Sequence, residues 1–209
     1  MYKAVVFDLD GTLLDTTPGV VYAVRYTIDE LGLPMPDDAT VQTFVGPPMQ
    51  LSFAKHFGME PEPALEAANR FRANYKEHSL LMAQLYPHAL ELLAHLKNKG
   101  YKIAVATNKS HDNAMGILKH FGVADYCDFM MGSDLGGKLK KADIIAKCLE
   151  EIAVSPADAV YIGDSIFDYE GAEKVGMDFI GVTYGFGFRE GEPYDFPTYS
   201  TLFEIMEVL

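Results

Sequence analysis

Cysteine and positive charge are both scarce in this chain. Its 209 residues include 2 cysteines, and 17 Lys and Arg stand against 30 Asp and Glu, which gives a formal charge of −13. Cys127 and Cys148 fit neither a zinc-ligand spacing nor a disulfide framework, which favours a reducing, cytoplasmic location. The excess of negative charge disfavours binding to nucleic-acid phosphates and to anionic lipid.

Long apolar runs are also missing. No apolar stretch of roughly 18 residues occurs, so we expect no membrane-spanning segment. The N-terminal sequence MYKAVVFDLD becomes acidic too early for a secretory signal peptide. With 49% hydrophobic and 22% charged residues, the composition is that of a globular protein, which excludes a disordered or fibrous chain.

Strand and helix patterns alternate along most of the chain. Five short apolar runs predict strands that are buried on both faces: 3–8, 102–107, 127–131, 159–163 and 178–183. Apolar residues at helical spacing predict helices at 87–99, 110–121, 141–152 and 167–175. Strands that alternate with helices predict an α/β fold with a doubly wound parallel sheet.

One segment interrupts this alternation. Between Thr17 and Leu81 the sequence shows helical stretches separated by glycine and proline, without a strand pattern. These roughly 65 residues are too many for one crossover connection. We therefore expect an inserted all-helical domain at 17–84, and a core domain formed by 1–16 together with 85–209.

Pairs of acidic residues follow two of the predicted strands. Asp8 and Asp10 follow the first strand, and Asp164 and Asp168 follow the fourth. The C-terminal ends of parallel strands are where α/β folds bind ligands. Carboxylates this close repel each other unless a cation lies between them or one stays protonated, and such a set of hard oxygen ligands suits Mg²⁺. A solvated acidic turn and simple helix capping by Asp164 or Ser165 are the alternative interpretations.

Hydroxyl and basic residues follow the second and third predicted strands. Thr107 and Asn108 lie where the second strand passes into a helix, whose N-terminal amides are suited to bind phosphate, although Thr107 could act only as a helix cap. The basic cluster Lys138–Lys141 follows the third strand. Lysines are usually solvated, but one that faced the four carboxylates would hold a phosphoryl oxygen.

These four stretches occur in an order that resembles a known family. DLDGTLLDT, VATNKS, the Lys138–Lys141 cluster and GDSIFD resemble the four motifs of the haloacid dehalogenase superfamily of phosphohydrolases. The helical insert resembles the C1-type cap of that superfamily. VGPPMQLSF, LYPHALELLAHLKNKGYKIAVATNKS and GVTYGFGFRE further resemble its phosphoglycolate phosphatase-like branch, so the resemblance covers essentially the whole chain.

The resemblance implies a Rossmann-like core and a Mg²⁺-dependent phosphomonoesterase that acts on a small phosphorylated metabolite. It implies that Asp8 is the nucleophile and carries an aspartyl-phosphate. It further implies that Asp10 protonates the leaving group and then accepts a proton from the attacking water. The implied Mg²⁺ ligands are Asp8, the backbone carbonyl of Asp10, and Asp164, supported by Asp168.

Substrate binding is implied for further residues of the core and of the insert. Thr107, Asn108 and a lysine would hold the transferring phosphoryl group, and Gly46 and Pro47 would shape the substrate pocket. The third motif of the family is often Lys-Pro, but no proline follows any lysine of this cluster. Lys141 precedes Ala-Asp-Ile-Ile and resembles a Lys-Ala-Asp variant, so we prefer it to Lys138.

Several other functions stay open at this point. A phosphosugar mutase, a pyrophosphatase or a 5'-nucleotidase would use the same scaffold, although Gly-Thr-Leu after the acidic pair is more similar to phosphatases than to mutases. A receiver-like phospho-acceptor signalling protein also uses acidic residues, a threonine and a lysine, but it lacks a helical insert. We expect a monomer or a homodimer.

Overall fold

The chain forms two compact units in this computed structural model, which describes residues 2–134 and 138–209. One unit combines the N-terminal segment up to Asp15 with the segment from Leu85 to the C-terminus. The other unit comprises Thr16–Gln84. We describe each unit by itself.

A parallel sheet of six strands forms the centre of the first unit. Its strands are β1 (Ala4–Phe7), β4 (Lys102–Ser110), β5 (Phe129–Ser133), β6 (Ala159–Gly163), β7 (Asp178–Val182) and β8 (Thr198–Tyr199), and their order is β5-β4-β1-β6-β7-β8. A separate two-stranded sheet consists of β2 (Leu14–Asp15) and β3 (Gln84–Leu85). The predicted α/β fold with a parallel sheet is therefore confirmed.

Helices cover the sheet because its central strands are apolar on both faces. All residues of β1 and β6 are buried. The helices of this unit are α5 (Ala89–Asn98), α6 (His111–His120), α7 (Lys141–Glu151), α8 (Ile166–Val175) and α9 (Leu202–Val208). Ile144, Ile145 and Cys148 of α7 pack in one core with Val6 of β1 and Tyr161 of β6. Burial of this apolar surface is the main stabilising term for the unit.

The register of the sheet brings three strand ends together. Phe7 of β1 pairs with Val105 of β4 and with Ile162 of β6. Asp8 directly follows Phe7, and Thr107 and Asp164 each follow two residues after their paired positions. Because the three strands are parallel, these side chains share the C-terminal edge of the sheet.

The second unit is helical and has its own core. It contains α1 (Thr17–Glu30), α2 (Asp38–Gln42), α3 (Met49–Phe57) and α4 (Pro61–Asn74), and a π-helical segment follows at Tyr75–Ser79. The apolar core includes Val24, Ile28, Phe44 and Phe53. Asn74 adds a buried hydrogen bond from its Nδ2 to Thr27 Oγ1 at 3.0 Å.

The strand predictions differ from the structure in several places, and β5 spans Phe129–Ser133 where 127–131 was predicted. The two-residue strands β2, β3 and β8 were not predicted, because two residues are too short to show a periodicity. Strand β4 runs to Ser110, beyond the predicted end at 107, and its register against β5 shifts between Thr107 and Ser110. Across residues 2–134 and 138–209, none of the helices has the length and apolar character that crossing a membrane requires.

Candidate active site

A buried lysine links two of the acidic side chains at the edge of the sheet. Lys141, the first residue of α7, places its Nζ 2.7 Å from Asp8 Oδ1 and 2.7 Å from Asp168 Oδ1. The same ammonium donates to the carbonyl of Ala106 at 3.2 Å and to the hydroxyl of Tyr161 at 3.1 Å. Buried charges are tolerated only when they are paired and hydrogen-bonded. Lys141 meets both conditions, in contact with the predicted nucleophile.

The carboxylate of Asp168 interacts with two neighbouring residues. While its Oδ1 contacts Lys141, its Oδ2 accepts hydrogen bonds from the backbone amide of Ser165 at 3.1 Å and from the Ser165 hydroxyl at 2.6 Å. Ser165 and Asp168 thereby form a capping box at the start of α8. The helix-capping alternative considered for Asp164 or Ser165 therefore applies to Ser165, with Asp168 as its partner.

Asp164 is held by a loop that follows β7. The backbone amide of Phe186 donates to Asp164 Oδ2 at 2.6 Å, and the amide of Phe188 donates to the Asp164 carbonyl at 2.9 Å. A Cβ atom at Gly185 would lie 2.4 Å from the Asp164 Cβ, which is too close for any side chain. Glycine at this position therefore lets the loop approach the carboxylate.

Burial and mutual repulsion disfavour negative charge at this cluster. Burial raises the pKa of Asp8 to about 7; Lys141 opposes this shift, and Asp168 and Asp10 add to it. Burial, followed by the charges of Asp168 and Asp8, raises the pKa of Asp164 well above its ordinary value. Although burial lowers the pKa of Lys141, the carboxylates of Asp168 and Asp8 together hold it above the ordinary lysine value. One lysine ammonium thus lies among several buried carboxyl groups, and it offsets only part of their negative charge when they are ionised.

Three of these carboxylates are close enough to hold one metal ion. Asp8, Asp164 and Asp168 are buried, and each offers one oxygen within 4.8 Å of those of the other two. A divalent cation would relieve the repulsion that raises the pKa values of Asp8 and Asp164. Carboxylate oxygens in this number fit Mg²⁺, which also keeps waters and substrate phosphate as ligands.

Asp10 and Thr107 lie at the neighbouring strand ends. Asp10 Oδ1 forms an ion pair with Lys109 Nζ at 2.9 Å. Thr107 is buried, and its hydroxyl accepts a hydrogen bond from the Lys109 amide at 3.2 Å. The end of β4 therefore contributes a hydroxyl group and a second lysine at this edge of the sheet.

The remaining predicted site residues are all exposed. Asn108 and Lys138 are exposed, in contrast to the buried Lys141. Gly46 and Pro47 are exposed in the second unit, between α2 and α3. Their part in substrate binding stays a prediction.

Two residues of the site were not singled out from the sequence. Tyr161 is fully buried in β6 and donates to the Ala106 carbonyl at 2.6 Å, but in sequence it is only one residue of an apolar strand. Its hydroxyl group on a central buried strand was the available signal, because such a group needs a partner. Lys109 carries no comparable signal in the sequence, because a lysine near the end of a strand is usually solvated.

The sequence of this chain matches the model of a known protein family. Residues 5–182 match the family model described as "Haloacid dehalogenase-like hydrolase". The chain belongs to this family of hydrolases. The resemblance noted from the four motifs is thus confirmed.

The curated relatives carry different activities in their names. The tyrosine-protein kinase PtkA of Mycobacterium tuberculosis is 35% identical over 186 residues, which cover 88% of this chain but only 63% of PtkA. A 5'-nucleotidase of Pseudomonas aeruginosa is 33% identical over 190 residues, with 90% of this chain and 86% of that protein covered. A phosphoglycolate phosphatase of Thiobacillus denitrificans is 32% identical over 198 residues, with 91% and 86% covered. The chain thus spans less than two thirds of PtkA.

Solved structures show the same architecture. The crystal structure of a predicted phosphatase from Clostridium acetobutylicum has a TM-score of 0.90 and 34% sequence identity, and the match covers 100% of this chain and 98% of that one. The fold is therefore shared over the full length.

The raised pKa of Asp8 predicts how stability depends on pH when no metal is bound. An acid whose pKa is 3.8 when unfolded and about 7 when folded binds more protons in the folded state between these values, so stability falls as the pH rises through this window. Asp8→Asn removes this dependence. We expect its free energy of unfolding, minus that of the wild type, to increase by up to about 4 kcal/mol from about pH 4 to about pH 7.

Urea denaturation in EDTA at both pH values measures this difference. Asp125→Asn, which changes an exposed aspartate in the same way, serves as the control and should show no such trend. A difference for Asp8→Asn that stays constant with pH would contradict the prediction.

Proposed function

We propose that this hydrolase is a Mg²⁺-dependent phosphomonoesterase that acts on a small organic phosphate. The observation that carries the proposal is the buried cluster of Asp8, Asp164 and Asp168, in which Lys141 contacts two of the three carboxylates. An anionic nucleophile approaches a phosphate dianion only when positive charge offsets their repulsion. A lysine and a cation-binding set of carboxylates around one aspartate provide that charge.

Asp8 is the proposed nucleophile. Its contact with Lys141 through Oδ1 fixes the orientation of its carboxylate. A carboxylate oxygen of Asp8 forms a bond to phosphorus while the ester bond breaks, and Asp10 gives a proton to the departing alkoxide. Water then attacks the aspartyl-phosphate and loses a proton to Asp10, and the bond between Asp8 and phosphorus breaks. Phosphate is released, and both aspartates return to their starting states.

The other residues of the site support this chemistry. Thr107 and the amides that follow it hold the phosphoryl oxygens, and the Lys141 ammonium balances their charge. Asp8, Asp164 and the backbone carbonyl of Asp10 would hold Mg²⁺, which when bound adds positive charge at the phosphoryl group. We assign Asp168 to orienting Lys141, because its two oxygens contact Lys141 and Ser165.

The helical unit is proposed to act as a cap. Its predicted extent is 17–84, and a cap of this kind excludes water from the reaction and shapes the substrate pocket. Within it, Gly46 and Pro47 are the proposed contributors to that pocket. Asn108 is exposed next to Thr107 and is proposed to contact substrate.

Loss of the nucleophile tests the proposed function. The wild-type protein should release inorganic phosphate from small phosphate monoesters in the presence of Mg²⁺. Asp8→Asn should lower kcat by more than about 1000-fold, because a neutral amide cannot form the covalent intermediate. Asp125→Asn is the control and should retain wild-type activity.

The reaction product and the phosphorylated intermediate distinguish the alternative functions. Retained hydrolysis in Asp8→Asn would remove Asp8 as nucleophile. A stable phosphoprotein without turnover would favour the receiver-like alternative, and transfer of phosphate within a sugar phosphate would favour the mutase. Release of phosphate across a library of monoesters would identify the substrate class.

Two lysines of one cluster provide a matched test of phosphate binding. Lys141→Ala removes a buried ammonium from the site and should lower kcat/KM by about 100- to 1000-fold. Lys138→Ala makes the same change at an exposed position and should have less than about a twofold effect. The reverse result would transfer the role to Lys138.

Mg²⁺ binding is testable without turnover. Mg²⁺ at millimolar concentration should raise the Tm of the wild-type protein, because the ion binds the folded carboxylate cluster. Asp164→Asn should lose most of this shift, whereas Asp125→Asn should keep it. An unchanged wild-type Tm, together with no heat of binding by calorimetry, would contradict the proposed metal site.

A further inference from the structure

A second, partly buried ion pair lies at the ends of β1 and β4. Lys109 Nζ is 2.9 Å from Asp10 Oδ1, and only 9% of the Lys109 side chain is exposed. Ion pairs at the surface of this unit have much more exposed lysine side chains. Lys102 contacts Asp128 with 53% of its side chain exposed, and such exposed pairs contribute little to stability.

The backbone of β4 is shaped so that Lys109 reaches Asp10. The register against β5 shifts between Thr107 and Ser110, and a shift of this kind turns a side chain away from its regular direction. The Lys109 amide is fixed by its hydrogen bond to Thr107 Oγ1 at 3.2 Å. On β5, a Cβ atom at Gly132 would lie 2.5 Å from the Lys109 carbonyl oxygen, so glycine makes room for the irregular segment.

We propose that Lys109 is a positioning residue that orients Asp10 for proton transfer to the leaving group; this inference rests on the proposed function. A lysine ammonium has three N–H donors and no acceptor. Asp10 Oδ1 accepts a hydrogen bond from the Lys109 ammonium at 2.9 Å, which fixes the direction of the carboxyl group. Lys109 thus holds the carboxyl group of Asp10 in one orientation.

The orientation of Asp10 affects the first step of the reaction, in which the ester bond breaks. As the oxygen–phosphorus bond of the ester breaks, a proton moves from the Asp10 carboxyl group to the departing oxygen, and the electron pair of the broken bond becomes a lone pair of the alcohol. A poor leaving group such as an alkoxide needs this proton, whereas a stable phenolate does not. Misplacement of Asp10 therefore slows cleavage of alkyl phosphates selectively.

Lys109→Met tests this inference with two substrates. Single-turnover cleavage is measured with glycerol 2-phosphate, which has a poor leaving group, and with p-nitrophenyl phosphate, which has a good one. Loss of oriented general-acid catalysis should slow cleavage of glycerol 2-phosphate by about 100-fold. Cleavage of p-nitrophenyl phosphate should slow by less than about threefold. Because single turnovers report the first step, the later hydrolysis of the intermediate does not obscure the comparison.

Two further variants serve as controls. Lys102→Met removes an exposed lysine of β4 from an ion pair and should leave both rates unchanged. Lys109→Arg keeps the charge and the donors and should restore a large part of the lost glycerol 2-phosphate rate.

The possible outcomes are distinct. Equal losses for the two substrates, or no loss for either, would overturn the positioning role of Lys109. A wild-type protein that cleaves neither these two substrates nor any other monoester of the library would refute the proposed function, and the positioning role with it. A selective loss for glycerol 2-phosphate that Lys109→Arg reverses supports the inference.

Discussion

The contact between one buried ammonium and two buried carboxylates determines most of what this site can do. Lys141 is removed from water together with Asp8 and Asp168, and none of the three would be stable there as an isolated charge. The ionised form of Asp164 is disfavoured in the same cluster, because burial and the charges of Asp168 and Asp8 raise its pKa well above the ordinary value. A divalent cation would stabilise the ionised carboxylates that one lysine does not balance. The family to which the chain belongs is one of hydrolases.

The sheet makes this arrangement possible. Adjacent parallel strands end at the same edge, so residues far apart in sequence meet there without long loops. Asp8 and Lys141 are separated by 133 positions but lie in direct contact. The rigid, fully buried strands β1 and β6 keep the carboxylates in place, and the loop around Gly185 and Phe186 holds Asp164 from the other side.

The sequence was informative where chemistry coincides with a strong pattern. A continuous apolar run followed by Asp8 marks both a buried strand and its end, so the fold and this position were predictable together. Lys109 was not, because its placement depends on a register shift that leaves no periodic signal. Lys141 was preferred to Lys138 only by resemblance, since three of four neighbouring residues are lysines and burial distinguishes them only in three dimensions.

Asp168 takes part both in the cap of a helix and in the charged site. One of its oxygens contacts Lys141 and the other closes the first turn of α8 through Ser165. The start of this helix and the position of the lysine therefore depend on the same side chain. Because the same carboxylate serves both, a change that frays the first turn of α8 would also release Lys141 from one of its two ion pairs.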